Sequence, residues 1–431
     1  MQKSPLFAVA DLLVLKIPKR TACLVSILPV TLSIATFAAG ADHAPPQREL
    51  KTYPLVGDVY SADVSPDDKL VITELSRSEP TDDLEKVRTL DLLQLWDFRQ
   101  GTLLAEQKLR ETVYSKNDKL DHVSYRRSGY VRFSSDGAFV VAYLDRNLYV
   151  LRVPDLQQVK HIPLPGAADE TRSYTSKKTG PHPYVVRSKV AAMELSPTAT
   201  KVALVWEQNF NAWVEIVDLE SGDDVVWNTR QRGLNAWPPR AIAWTHDGRE
   251  LVIAAPADFP CSTPGSEPDI FAVDPMTGSI QIKFRTGLLV GDIAVTPDNR
   301  VFAVDCGCLG VFVNHDPKLR VFDLTTGKKL KELAGRGGGV RYVVAVSSNG
   351  ERLAAYTGVV KAGFDWLDMV PLDVTVDQTF SVWNLANYEG IVTSQNLSKF
   401  GGIRGMVNGA PFRISPKGGF VVQGDKIYEL P

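Results

Sequence analysis

This chain carries almost none of the signatures that name an enzyme. Its 431 residues contain no G-x-S-x-G elbow, no H-E-x-x-H helix, no G-x-x-x-x-G-K-[ST] phosphate loop and no C-x-x-C-H haem attachment. Hydrolases, zincins, phosphate-loop ATPases and c-type haem proteins that announce themselves by motif are thereby excluded. Histidine is scarce, with six in all. His43 lies near the N-terminus and His246 in a tight turn, while His122, His161, His182 and His315 are scattered, a pattern of solvated surface and not of a ligand set. No basic run is long enough to track phosphates, so nucleic acid is not an expected partner. The one glycine cluster, Gly335-Arg336-Gly337-Gly338-Gly339, opens no helix and reads as a flexible connection, not an anion cradle.

Long apolar runs are also missing, with one exception. Lys16, Lys19 and Arg20 precede an apolar stretch over 21–39, which ends in Ala38-Ala39-Gly40-Ala41. Ala39-x-Ala41 fits a signal-peptidase site. Residues 1–41 are therefore expected to be a signal peptide or, if uncleaved, an N-terminal anchor, followed by a disordered leader at 42–47. Cleavage takes four bases and one acid from 48 and 50, leaving 44 and 49, a formal charge of −5. The mature chain would be periplasmic or extracellular, with no membrane span, and a monomer is expected. Asn396-Leu397-Ser398 is a glycosylation sequon, meaningful only in a eukaryotic secretory pathway.

Cysteine is rarer still: Cys261, Cys306 and Cys308 are all that remain after residue 41. In an oxidising compartment Cys261 pairs with Cys308 or Cys306 if geometry allows, leaving one thiol over. Free thiols are the alternative. A metal is the third reading, although zinc sites usually space paired cysteines by two or more residues and take four ligands. No metal and no cofactor is expected.

What the chain has in abundance is a refrain. Seven times a hydrophobic strand meets a tight polar turn and a second hydrophobic strand follows. The turns are Ser65-Pro66-Asp67-Asp68, Ser134-Ser135-Asp136-Gly137, Ser196-Pro197-Thr198-Ala199, Thr245-His246-Asp247-Gly248, Thr296-Pro297-Asp298-Asn299, Ser347-Ser348-Asn349-Gly350 and Ser415-Pro416-Lys417-Gly418. A second marker follows in most copies, an apolar–acidic pair before another turn: Trp96-Asp97, Val217-Asp218, Val273-Asp274, Phe322-Asp323 and the variant Trp383-Asn384. Recurrence of this kind predicts an all-β, seven-bladed propeller over 48–431, one blade per repeat. Blades are expected near 58–109, 129–163, 189–228, 239–285, 290–333 and 340–395. The last copy supplies only three strands, so 49–55 is expected to complete it and close the ring.

The refrain and Trp96-Asp97 resemble the WD-repeat and related bacterial propeller families across 48–431. The Gly-His pair of true WD repeats is absent from every copy, which marks a divergent relative. The resemblance implies a scaffold used most often for protein interaction and implies no catalytic residue.

Loop lengths are lopsided. The turns between the first two strands of a blade are all short, whereas 76–90, 256–269, 305–318, 357–377, 110–127, 165–189 and 396–410 all project from the opposite face. Long loops are cheap to extend and tend to carry function. Within them Phe364, Asp365, Trp366 and Met369 form an aromatic–acidic group suited to a partner, and Trp206 and Trp213 are expected to extend the same rim. A local minicore is the competing reading of 364–370. The sequence thus points to an exported interaction module for a protein or peptide. The alternative is a metal-assisted lactonase or lyase with carboxylates at the ring mouth, for which Asp305 and Asp316 are the only weak candidates.

Overall fold

The computed structural model describes residues 46–56, 59–83, 85–115, 129–165, 170–176, 180–186, 188–208, 211–234, 239, 241–255, 268–288, 290–305, 318–334, 341–365, 370–395 and 412–431. All regular structure among them is β. The refrain explains why. Each opening Ser or Thr hydroxyl is buried and works in two directions. Ser65 Oγ donates to Asp67 Oδ1 at 2.7 Å and accepts the Leu70 N–H at 2.8 Å. The same pair of bonds recurs at Ser134, Thr245, Thr296 and Ser347. The side chain thus supplies turn bonds that the tight backbone cannot make, and it starts the next strand in register. The fourth residue of all seven turns is left-handed, with φ between +55° and +73°. Glycine fills four of those positions, and Asp68, Ala199 and Asn299 fill the rest.

Strand β1 is Thr52–Pro54. Blade 1 is the meander β2 to β5, at Val59–Val64, Leu70–Pro80, Lys86–Asp97 and Thr102–Ser115. Blade 2 is β6 to β9, at Tyr130–Phe133, Phe139–Leu144, Asn147–Arg152 and Gln158–Pro163. A separate hairpin follows, β10 (Glu170–Ser176) and β11 (Gly180–Val186). Blade 3 is β12 to β15, at Lys189–Leu195, Lys201–Gln208, Asn211–Asp218 and Asp224–Asn228. Blade 4 is β16 to β19, at Ala241–Trp244, Leu251–Ala254, Ile270–Val273 and Ile280–Phe284. Blade 5 is β20 to β23, at Val290–Val295, Arg300–Asp305, Lys318–Asp323 and Lys329–Ala334. Blade 6 is β24 to β27, at Arg341–Val346, Arg352–Asp365, Val370–Asn384 and Gly390–Gln395. Blade 7 is β28 to β30, at Phe412–Ile414, Phe420–Gln423 and Lys426–Glu429, with β1 as its outer strand.

The ring therefore closes as expected, by pairing of the two chain ends. Thr52, Tyr53 and Pro54 lie opposite Tyr428, Ile427 and Lys426. Tyr53 also donates to Glu429 and packs edge-on to Phe98 of blade 1. The preceding residues are held as well, which corrects the expected disorder of 42–47 at its last two positions. Thr393 N–H donates to Pro46 O at 2.8 Å, and Gln47 bridges Thr393 of blade 6.

Seven apolar clusters fill the seven seams between neighbouring blades. Central strands are buried on both faces, which is why β17 reads as the unbroken run Leu-Val-Ile-Ala. Trp206, Phe271, Phe302 and Phe380 are the largest fully buried side chains. Each such phenylalanine stabilises the fold by roughly 1.5–3 kcal/mol through area removed from water. The apolar–acidic marker also has a physical role. Asp97, Asp218, Asp274, Asp323 and Asn384 each accept a backbone N–H two or three residues on, capping the turn from the third strand to the fourth.

Candidate functional site at the hairpin face and the channel

Much of what reads as loop on one face is paired strand. In blade 1 the β3–β4 ladder runs on to Pro80 opposite Val87, and β5 accompanies it to Ser115 opposite Lys86. Residues 76–80, 86–90 and 110–115 are thus a three-stranded tongue. In blade 6 the β25–β26 ladder continues to Asp365 opposite Val370. Within 165–189, β10 and β11 pair from Glu170–Val186 to Ser176–Gly180. The connections after a blade's second and fourth strands leave a propeller from the same side, so all three hairpins share one face. The blade 1 tongue escapes a hydrophobicity reading because it is polar. Cross-strand ion pairs tie it together: Arg88–Glu79 at 3.2 Å, Arg77–Glu106 at 3.6 Å and Arg88–Glu111 at 3.8 Å. Singly each is weak, but as a lattice they fix the register of strands that have little apolar surface to bury.

The sequence-predicted site residues separate. Phe364 and Asp365 stand at the end of β25, opposite Pro371 and Val370. Trp366, Met369, Asp316 and the three cysteines lie outside the described residues. Asp305 ends β21 opposite Val290. Trp206 departs from the expected rim: it is fully buried, because β13 is sandwiched between blades. Its Nε1 donates to Glu215 Oε2 at 2.5 Å, and its ring stacks on partly buried Trp213, with centroids 6.2 Å apart. This is a core pair, with no Trp206 surface to present. His161 is also accounted for, stacked on Tyr149 and bonded to Asn147.

A charged layer in the channel was not anticipated. The residue two places before each refrain Ser or Thr sits on the innermost strand of its blade. Those residues are Asp63, Arg132, Glu194, Ala243, Ala294, Ala345 and Arg413. Blades 7, 1, 2 and 3 supply charges, and blades 4, 5 and 6 supply alanine. Arg132 is 8% exposed and grips Glu194 through Nη2 at 3.0 Å and Nε at 3.3 Å. Its other bonds go to the carbonyls of Val131 and Met193. Arg413 reaches Glu194 Oε1 at 3.1 Å from blade 7, which places the bond across the axis. Asp63 accepts the Phe133 N–H at 2.8 Å, capping the inner edge of the next blade. Burial pushes the Asp63 and Glu194 carboxyls up, against the pull of Arg132. Burial pulls Arg132 down, but Glu194 and Asp63 outweigh it and hold the guanidinium above its ordinary value. The fixed offset from the refrain was the signal that would have revealed this layer.

Chemically the layer is neutral, two acids against two bases, each acid already engaged by a donor. Among the described residues no three His, Cys, Asp or Glu side chains gather in a metal-holding group. The convergence of three or more ligands that a metal-assisted lyase needs at the ring mouth is thus not found among them.

No protein-family model and no curated protein matches the chain. Solved structures do. The β-propeller domain of Cps50 (Swd1) from Myceliophteria thermophila superposes with a TM-score of 0.52 at 11% identity, covering 89% of this chain and 98% of that one. A chain of the mitotic checkpoint complex gives 0.51 at 12% identity, covering 90% and 96%. The C-terminal WD40 domain of Sif2 gives 0.47 at 11%, covering 90% and 99%. At such identities the likeness of the first two is one of fold: the chain is similar to a solved β-propeller domain over 89% of its length.

Proposed function

We propose that this chain is an exported, divergent WD-like propeller that binds a protein or peptide through its hairpin-bearing face. The observation that carries the reading is the concentration of all three long hairpins on one face, against tight turns on the other. Paired strands hold the backbone in place before a partner arrives, which lowers the ordering cost of binding. The cited propellers support it in kind, since one is solved as part of a multiprotein complex.

The test replaces 359–377 with Asn-Gly, a turn that joins Gly358 to Gln378 in register. Circular dichroism and Tm should stay as in the intact protein, and in-cell crosslinking should lose partners that the intact protein captures. Recovery of the same partners with the shortened protein would overturn the site. Export is tested separately: the mature N-terminus should read Asp42, and a cytosolic protein that keeps Met1 would refute it.

A further inference from the structure

The seam between blades 1 and 2 changes character along its length. Near the tight turns it is apolar, built by Ile72, Leu93 and Leu95 against Val131, Val140 and Leu151. Toward the hairpin face a carboxyl group enters it. Glu74 is 3% exposed, and its Oε2 has no hydrogen-bond partner. Blade 2 meets it with Gly129, where an added Cβ would lie 2.1 Å from that same oxygen. A side chain at position 129 would force the carboxyl group to move.

The described charged groups around Glu74 offer it no relief. From β4 comes Asp91, a second carboxylate, already engaged by Ser76 Oγ at 2.8 Å and Arg110 Nε at 3.0 Å. Arg110, from β5, also pairs with Asp145 of blade 2. From β2 the facing residue is Ser61, whose hydroxyl accepts the Val131 N–H. On β6, Tyr130 packs on Tyr143 and Arg132 is committed to Glu194, both toward blade 3. Burial first, and then Asp91, push Glu74 up to about 8. Among the described residues, an ionised carboxylate in this place would have no donor and a like charge beside it, the costliest arrangement for a buried group. The tongue begins two residues further along β3, and its Arg110 is tied to Asp145 of blade 2, so lifting the tongue off blade 2 parts the seam that buries Glu74.

We propose that Glu74 is a proton-held clasp: while protonated it lets the β3–β5 tongue seat against blade 2, and on losing its proton it drives the two apart. The sign follows from linkage. The closed form holds the proton, and the open form, with an ordinary carboxyl group, releases it. The opening constant should thus rise about tenfold per pH unit from roughly pH 5 to pH 8, and level off above.

Hydrogen exchange of the intact protein, corrected for intrinsic rates, reads this directly in peptides covering 70–80, 86–115 and 129–133. Their protection should fall about tenfold per unit over that range, while β20–β22 of blade 5 serves as the internal reference. Glu74→Gln should be flat with pH. Asp91→Asn should move the plateau to lower pH, which keeps the test intact if Glu74→Gln fails to fold. Gly129→Ala should open the same peptides at every pH. Equal slopes in the wild type and Glu74→Gln, or a flat wild type, would overturn the clasp.

Discussion

Single residues decide how the turns hold. In the seventh refrain Lys417 stands where the other copies carry Asp, Asn or Thr, so Ser415 has no acceptor in its own turn. Asp68 of blade 1 supplies one from outside, accepting Ser415 Oγ at 2.7 Å and the Lys417 N–H at 3.3 Å. Asp68→Ala should cost about 1–3 kcal/mol in urea unfolding, because it strands a buried hydroxyl in another blade. Asp136→Ala, which disturbs only its own turn, should cost about 1 kcal/mol or less. A reversal of that order would show that the cross-blade bond is incidental. Ala199 carries a left-handed φ of +55° without the relief glycine has. Ala199→Gly should therefore raise stability by roughly 0.5–1 kcal/mol, the strain relieved less the added freedom of the unfolded chain. Burial also raises Glu74 to about 8, Glu215 to about 7 and Asp269 to about 6. Their folded values exceed their unfolded ones, so the stability they allow is complete below the unfolded range and falls as pH rises toward 8. The turn carboxylates Asp136, Asp247 and Asp274 are lowered by hydrogen bonds, so theirs is lost as pH falls below about 4. Tm should peak near pH 5, and Glu215→Gln should flatten its fall above that.

Among the elements, what was legible and what was not divides by what holds each strand. Apolar central strands and their Ser/Thr turns were readable because burial and turn chemistry are both local in sequence. The missing outer strand of blade 7 was also readable, since three strands cannot finish a blade and 49–55 has the right pattern. The tongue of blade 1 reads as loop because partners across the ladder hold it, and Arg77, Glu79 and Arg88 carry no apolar period. In the β25–β26 extension, by contrast, the alternation of Val370, Leu372, Val374 and Val376 is a strand signal that a loop reading passes over. Trp206 was misplaced for the opposite reason: a tryptophan near a strand end looks like a rim residue until the neighbouring blade is known to cover it. The short β1 is the element whose loss should matter most. Deleting 42–55 bares the β30 edge and removes Tyr53 from Phe98. Size-exclusion chromatography should then show larger species formed by edge pairing, with a lower Tm. An unchanged profile would mean that blade 7 closes without it.

For the whole molecule, the central question is how one end of the channel is held. Glu194 gathers Arg132 from blade 2 and Arg413 from blade 7, so a single carboxylate spans the axis. Glu194→Leu takes from the buried Arg132 guanidinium its hydrogen-bonded carboxylate and should cost about 3–5 kcal/mol. Replacing Arg132, Glu194 and Arg413 together with apolar residues, and Asp63 with Asn, should be close to neutral, because no stranded charge remains and the Phe133 N–H keeps an acceptor. A combined replacement as damaging as the single one would show that the layer specifies the ring and does more than balance charge.

The refrain holds one more regularity. Proline occupies its second position in blades 1, 3, 5 and 7, and not in blades 2, 4 and 6. The rings of Pro66, Pro197 and Pro297 sit where a Cβ on Gly137, Gly248 and Gly350 of the next turn would come within 3.2, 3.7 and 3.0 Å. Two kinds of turn thus alternate around the molecule like beads of two colours. A circle with an odd number of beads cannot be two-coloured, so somewhere two alike must touch. Here they touch between blades 7 and 1, where the chain's two ends are drawn together. Asp68, in the position where most of the other turns carry glycine, fills the mismatch with hydrogen bonds. The odd count leaves this closed ring with a marked beginning.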